Sequence, residues 1–158
     1  VGTIASLWEA NMEVLDPEHS GIDIFDENWK IYSRNSGMTG HKIGSNAVVE
    51  NSMITDGCRI DGSIKHSILF SGVRVEKGAK IEDAVVMGKT VIKAGAVVEH
   101  CIVAENVVIG ENAVVGSMPK GEGHGVATIG SGITIGEGAK IGPNAMVNKN
   151  LEDGEEQW

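Results

Sequence analysis

Three residues of metal-binding or proton-exchanging type recur at one constant spacing along the chain: His66, Asp83 and His100. If residues so spaced stack on successive strands, neighbours lie about 4.8 Å apart and the two histidines lie roughly 10 Å apart. That separation is too long for a shared Zn²⁺, whose bonds to histidine nitrogen are about 2.1 Å. We therefore expect charge pairing along one corner of the fold and no metal site.

Basic side chains concentrate in the middle of an otherwise acidic chain, which carries a formal charge of −9 and a pI near 4.9. The overall charge argues against a general binder of nucleic acid or anionic membranes. Arginine and lysine clusters suit phosphate groups. The sequence thus offers a candidate phosphate site, with a merely solvated basic corner as the alternative. Its members are Arg59, Arg74, Lys77, Lys80, Lys89 and Lys93.

One further histidine, His124, lies in a glycine-rich stretch, SMPKGEGHGVAT, at 117–128. A histidine held on a loop can act as the general base of an acyl transfer. A solvated loop histidine is the interpretation we favour. An acyltransferase with His124 as its base, or a purely structural interaction module, remains the alternative.

These residues lie within a repeat that spans 43–151. From Ile129 the chain reads IGSGIT, IGEGAK, IGPNAM, with a branched aliphatic residue every six positions, and earlier segments superimpose at a longer period of two hexads plus a five-residue unit. Because strand side chains alternate faces, the first and fifth positions of each unit point inward, and Gly or Asn at the fourth permits a tight corner. The pattern resembles the hexapeptide-repeat, left-handed parallel β-helix, and this resemblance supplies the handedness. A β-sandwich would not keep one register over so many units.

Two departures from the repeat predict local features. The coil that starts at Ile54 is two residues short, which predicts an indented corner near Asp61 and Gly62. The stretch 117–128 must leave the coil as a loop.

Outside the repeat, we expect one amphipathic helix over 4–15, capped by Thr3 and ended by Asp16-Pro17. An extended linker follows, up to residue 42, and 152–158 is expected to be an acidic tail.

Five apolar residues fall at outward positions of the coils, where polar residues are expected. An apolar patch on a solenoid face usually marks a contact. We therefore predict a protein interface at Phe70, Met87, Val91, Ala104 and Val108.

The segments VGTIASLWEANM (1–12) and NWKIYS (28–33), followed by the repeats, resemble the C-terminal part of bacterial glucose-1-phosphate adenylyltransferases. That resemblance implies that residues 1–42 end a preceding catalytic domain, which uses ATP, glucose 1-phosphate and Mg²⁺ to make ADP-glucose for glycogen. In the family an Asp directly before the Val-Gly-Thr triplet helps to bind the metal. The resemblance implies no catalytic or metal-binding residue in this chain, which would serve regulation by phosphorylated metabolites and assembly into homotetramers or mixed tetramers.

The sequence also predicts where in the cell the protein is located. No apolar run approaches the roughly 20 residues of a membrane helix, and the first residues lack the basic start of a secretory signal. We expect a cytoplasmic protein.

Overall fold

The computed structural model describes residues 2–158, so Val1, the first residue of the predicted segment 1–42, lies outside the described residues. Helix α1 spans Ile4–Met12 and continues as a 3₁₀ turn over Glu13–Leu15. Thr3 caps α1 as predicted: its hydroxyl accepts from the Ser6 N–H, and the Ser6 hydroxyl accepts in return from the Thr3 N–H. This reciprocal pair satisfies two of the free N–H groups at the helix start.

Asp16-Pro17 ends the first helical segment but also begins a second, which the sequence did not predict. Helix α2 spans Pro17–Ser20; Asp16 is its N-cap and Gly21, in the left-handed conformation, ends it. Proline at the first helical position costs no hydrogen bond, so the same dipeptide that stops one helix starts the next. From residue 22 to 41 the chain has turns and no assigned strand, as expected of a linker.

Within residues 2–158 seventeen short strands follow, and every pairing among them is parallel. In chain order they are β1 (Lys42–Ile43), β2 (Val48–Glu50), β3 (Met53–Ile54), β4 (Arg59–Ile60), β5 (Ser63–Lys65), β6 (Ile68–Leu69), β7 (Arg74–Val75), β8 (Lys80–Val86), β9 (Val91–Ile92), β10 (Val97–Val103), β11 (Val108–Ile109), β12 (Val114–Val115), β13 (Ala127–Ile129), β14 (Thr134–Ile135), β15 (Lys140–Ile141), β16 (Met146–Val147) and β17 (Glu156–Gln157).

The strands form three faces of a parallel β-helix, which confirms the predicted mainly β solenoid. Face 1 stacks β1, β4, β7, β9, β11 and β14. Face 2 stacks β2, β5, the first half of β8, the first half of β10, β12, β15 and β17. Face 3 stacks β3, β6, the second halves of β8 and β10, β13 and β16.

The core is the stack of inward aliphatic side chains predicted from the repeat. On face 1, Ile92 pairs in register with Val75 on one side and Ile109 on the other, and all three are fully buried. The same inward stacking on the other faces joins these residues in one continuous cluster. Each coil thus contributes a layer that contacts only its neighbours, as in other solenoids.

The short coil lies where the sequence placed it. Arg59 pairs with Arg74 and Arg74 pairs with Val91, so the first interval along the chain is two residues shorter than the second. The missing residues are at the corner between β4 and β5, where Gly62 is buried and a Cβ would come within 2.9 Å of the Glu76 carbonyl oxygen. Glycine is therefore required by close packing at this indented corner.

Two predicted boundaries are wrong. The excursion ends before residue 127, because Ala127–Ile129 already pairs with Cys101–Val103 of β10. Residues 152–158 are no free tail: Glu156–Gln157 pairs with Lys140–Ile141, and the Gly142 N–H donates to the Gln157 carbonyl at 2.8 Å. Acidic composition suggested a solvated end, but the backbone completes one more coil and covers the last layer of the core.

Candidate functional site

Arg59 and Arg74 are the two members of the predicted phosphate set that stack directly on adjacent strands. They are register partners on adjacent strands of face 1, with both side chains exposed. Lys42 is the register partner of Arg59 on the other side and extends the column to three cations. Sequence analysis missed Lys42, although it lies one full repeat period before Arg59.

We call Lys42, Arg59 and Arg74 the basic column. Like charges on neighbouring strands repel, and this arrangement is destabilising without a counter-ion. The one carboxylate paired with the column among residues 2–158 is that of Glu76, whose Oε1 lies 4.0 Å from the Arg74 Nε. Exposed and under-compensated cations suit an anionic group of a ligand.

Of the other four predicted members, Lys77 lines a cavity together with Arg74, and the remaining three lie elsewhere. Lys77 follows face 1 at a corner, beside a cavity of about 380 Å³ whose lining also includes Asp61, Glu76 and Arg74. Lys93 lies at the next corner position, near Glu111, Glu137 and Asp153. Acidic neighbours at both places offset the lysine charge, so neither extends the basic column.

Lys80 and Lys89 also lie outside the basic column. Lys80 is on face 2, where its Nζ lies 3.1 Å from Glu82 and 3.4 Å from Glu99, and the hydrogen bond to Glu82 raises the pKa of Lys80. Lys89 is at the corner between faces 3 and 1, lining a cavity of about 390 Å³ with Arg34 of the linker. The six-residue cluster is thus wrong as a single site, because residues close in sequence turn onto different faces.

The predicted interface set is also divided. Phe70, Met87 and Ala104 follow face 3, and Met87 packs against the buried cluster that includes Met12 of α1. Val91 and Val108 lie on face 1, in the same outward column as Arg74. Phe70 is 40% exposed, whereas the others are half-buried, so no single exposed apolar strip exists at these five residues.

The outward side of face 3 is covered by α1. Met12 of the helix, Val85 of β8, Ile102 of β10 and Val126 of the excursion form one buried cluster, against which Ile4, Leu7, Trp8 and Leu15 pack. Val85 and Ile102 were not among the residues predicted to face outward. Their spacing of one repeat period, shared with Ile68, was the signal that an apolar column faces away from the core.

His66, Asp83 and His100 form a continuous ladder at the corner between faces 2 and 3. Asp83 Oδ1 lies 2.8 Å from His66 Nδ1, and Asp83 Oδ2 lies 2.6 Å from His100 Nδ1. The three side chains are therefore joined by hydrogen bonds along one corner, at the spacing that the sequence predicted. Across residues 2–158 no group of three or more His, Cys, Asp or Glu side chains is placed to hold a metal ion.

His124 is fixed within its own loop. Its Nε2 lies 2.8 Å from the Ser117 carbonyl oxygen and 3.0 Å from the Ser117 hydroxyl. The residue is half-buried, and its ring lies 6.4 Å from that of His100. The histidine lies in a loop and is only partly solvated, and a nitrogen in contact with a backbone carbonyl is poorly placed to act as a base.

The linker carries four exposed large apolar side chains that were not among the predicted interface residues. Phe25, Trp29, Ile31 and Tyr32 are 77%, 65%, 55% and 86% exposed. Four large apolar side chains so close together in the chain are unusual on a free surface. Helical or strand periodicity could not reveal them, because the segment has neither structure.

Residues 36–136 match the model of a protein family described as "GlmU-like, C-terminal hexapeptide". The chain belongs to this family. A curated relative, glucose-1-phosphate adenylyltransferase from Geobacillus stearothermophilus, is 45% identical over 82 residues, which are 52% of this chain and 21% of that enzyme. The acetyltransferase domain of PglB from Neisseria gonorrhoeae FA1090 is 22% identical, and the match covers 77% of this chain and 55% of that structure. Its TM-score of 0.37 is too low to bear on function.

Membership of this family accounts for the solenoid and its corners. The chain corresponds to a small part of the curated relative's length, so the relative's activity reaches this chain only by inference. No helix among residues 2–158 is long and apolar enough to cross a membrane.

Proposed function

We propose that this chain is the C-terminal β-helix part of a cytoplasmic glucose-1-phosphate adenylyltransferase, which makes ADP-glucose and pyrophosphate for glycogen synthesis. The observation that carries the proposal is the 45% identity to the enzyme of that name, within a chain of hexapeptide-repeat fold. The exposed linker and the docked α1 support it, because both suit a junction with a further domain.

The proposed roles of this part are assembly and regulation. Nucleotidyl transfer of this kind uses Mg²⁺ held by carboxylates between phosphates. The described residues do not fit that ion, since they offer no cluster of three candidate ligands. This chain therefore contributes no step through the metal, and we expect no pyrophosphate release from ATP and glucose 1-phosphate by this chain alone.

The basic column is the best-supported place for a phosphorylated effector. Lys42, Arg59 and Arg74 are exposed and stacked on adjacent strands, and guanidinium groups bind phosphate through paired N–H donors. Isothermal titration with a sugar bisphosphate tests it. Arg59→Gln should weaken binding, whereas Lys80→Gln, on face 2 and already paired with glutamates, should leave it unchanged. Equal losses of affinity in both variants would mean that the bisphosphate is attracted by positive charge in general and is not bound at the basic column.

The partner surface is proposed to be the linker together with Phe70. A preceding catalytic domain or a second subunit would bury Phe25, Trp29 and Tyr32. Burial lowers the free energy by about 25 cal/mol for each Å² of apolar surface removed from water. Both arrangements agree with a homotetramer or a mixed tetramer. A chimera that carries this chain in place of the matching segment of the Geobacillus stearothermophilus enzyme tests activity and assembly together.

A further inference from the structure

We propose that the His66–Asp83–His100 ladder is a docking latch that fixes helix α1 on face 3 by positioning the hydrogen-bond acceptor of Trp8. The bond in question runs from the Trp8 indole N–H to the backbone carbonyl of Asp83, at 2.9 Å. Both residues belong to this chain, and their hydrogen bond does not depend on nucleotidyl transfer.

Asp83 presents that carbonyl from the left-handed region, which non-glycine residues adopt in only a few per cent of cases. Its φ is +58°, and His66 and His100 at the neighbouring corners have φ of +42° and +44°. Non-glycine residues seldom adopt this region unless their surroundings hold them there. Asn51, one corner earlier in the same column, has φ of +40°, so the corner geometry also accepts asparagine.

The ladder provides the restraint. The Asp83 carboxylate can only accept, so both histidines place a proton on Nδ1 and donate to it. The two bonds, to Oδ1 and Oδ2, hold the carboxylate between two rings, and Asp83 and His100 are each 7% exposed. Rotation of Asp83 would break both bonds, so the carbonyl that Trp8 uses is fixed in direction.

His100, at one end of the ladder, lies near both α1 and the excursion. The His100 ring meets the Trp8 ring edge-on, with centroids 4.6 Å apart, and the His124 ring of the excursion has its centroid 6.4 Å from that of His100. Val126, at the end of that excursion, packs in the same cluster as Met12 of α1. The latch thus joins α1, the excursion and the body of the β-helix at one point.

His66 allows a test that separates this role from simple corner stability. Its identified side-chain hydrogen bond is the one to Asp83, and its side chain is 37% exposed. Asparagine can place a side-chain N–H near the position of histidine Nδ1, whereas glycine suits the left-handed backbone but has no donor. Any effect of His66→Gly on Trp8 must pass through Asp83.

The measurement is hydrogen exchange of the Trp8 indole N–H by NMR, with the exposed Trp29 and Trp158 as internal references. We expect His66→Gly to raise the Trp8 exchange rate by about tenfold or more, with His66→Asn close to wild type. Asn106→Gly, at an exposed left-handed corner with φ of +56°, is the control and should leave Trp8 protected. Asp83→Gly, which keeps the carbonyl and removes the carboxylate, should match or exceed the effect of His66→Gly.

Unchanged Trp8 exchange in His66→Gly would overturn the proposal and leave α1 held by apolar packing alone. Equal loss of protection in His66→Gly and Asn106→Gly, in parallel with a lower melting temperature, would also overturn it, because that result describes general destabilisation. Should Asp83→Gly fail to fold, the comparison of the two His66 variants still decides.

Discussion

Truncation of an inward isoleucine in the middle of the solenoid should be among the most damaging single changes. Ile92 is fully buried between Val75 and Ile109, its register partners on either side. Ile92→Ala removes the equivalent of about three methylene groups, which at about 0.8 kcal/mol each gives about 2.4 kcal/mol. A residual cavity of about 50 Å³ adds about 1.2 kcal/mol at about 24 cal/mol per Å³.

The expected loss is therefore about 3.6 kcal/mol for Ile92→Ala, and a similar value applies to Ile109→Ala. Lys93, the next residue, is half-buried and belongs to no ion pair identified among residues 2–158, so Lys93→Ala should change stability by less than about 0.5 kcal/mol. Equilibrium urea unfolding followed by circular dichroism gives the free energies, provided the m-value is unchanged. Comparable losses for Ile92→Ala and Lys93→Ala would show that the inward register is wrong.

Three further predictions concern the thiols, the last coil and the outer apolar residues. Burial raises the pKa of the Cys101 thiol and of the Cys58 thiol, so maleimide labelling at about pH 8 should be slow in the native protein and fast in urea; fast native labelling would contradict the buried positions. Removal of 152–158 should lower the melting temperature, because it uncovers Leu151 and Ile141, whereas a free tail would leave it unchanged. Phe70→Lys should weaken self-association in sedimentation and leave the circular dichroism spectrum intact; an unchanged mass distribution would count against the interface.

The sequence was sufficient for the parts of the molecule that repeat. The constant period places Ile92 and Ile109 inward, since one register error would expose every aliphatic residue of a coil. The short coil was predictable for the same reason, because two missing residues shift all later columns. The His66–Asp83–His100 ladder followed from the same period.

Contacts between the repeat and other segments could not be predicted. The sequence indicates that α1 is amphipathic, but not that its apolar side lies on Val85 and Ile102, because nothing in a periodic pattern specifies what covers an outward column. The prediction of one six-residue basic site was wrong for a related reason. Arg74 and Lys80 are close in sequence, but the coil turns a corner between them. The Trp8 bond to Asp83 joins residues far apart in the chain and left no local signal.

The rate of ADP-glucose synthesis by the chimera tests the central claim most directly. The chimera carries this chain in place of the matching segment of the Geobacillus stearothermophilus enzyme. The aligned residues make up 21% of that enzyme's length. If this chain is an adenylyltransferase β-helix part, kcat should stay within about tenfold of the parent enzyme, and the oligomer mass should be retained in sedimentation. A folded chimera whose rate falls by more than about a thousandfold, or that sediments as a monomer, would contradict the claim.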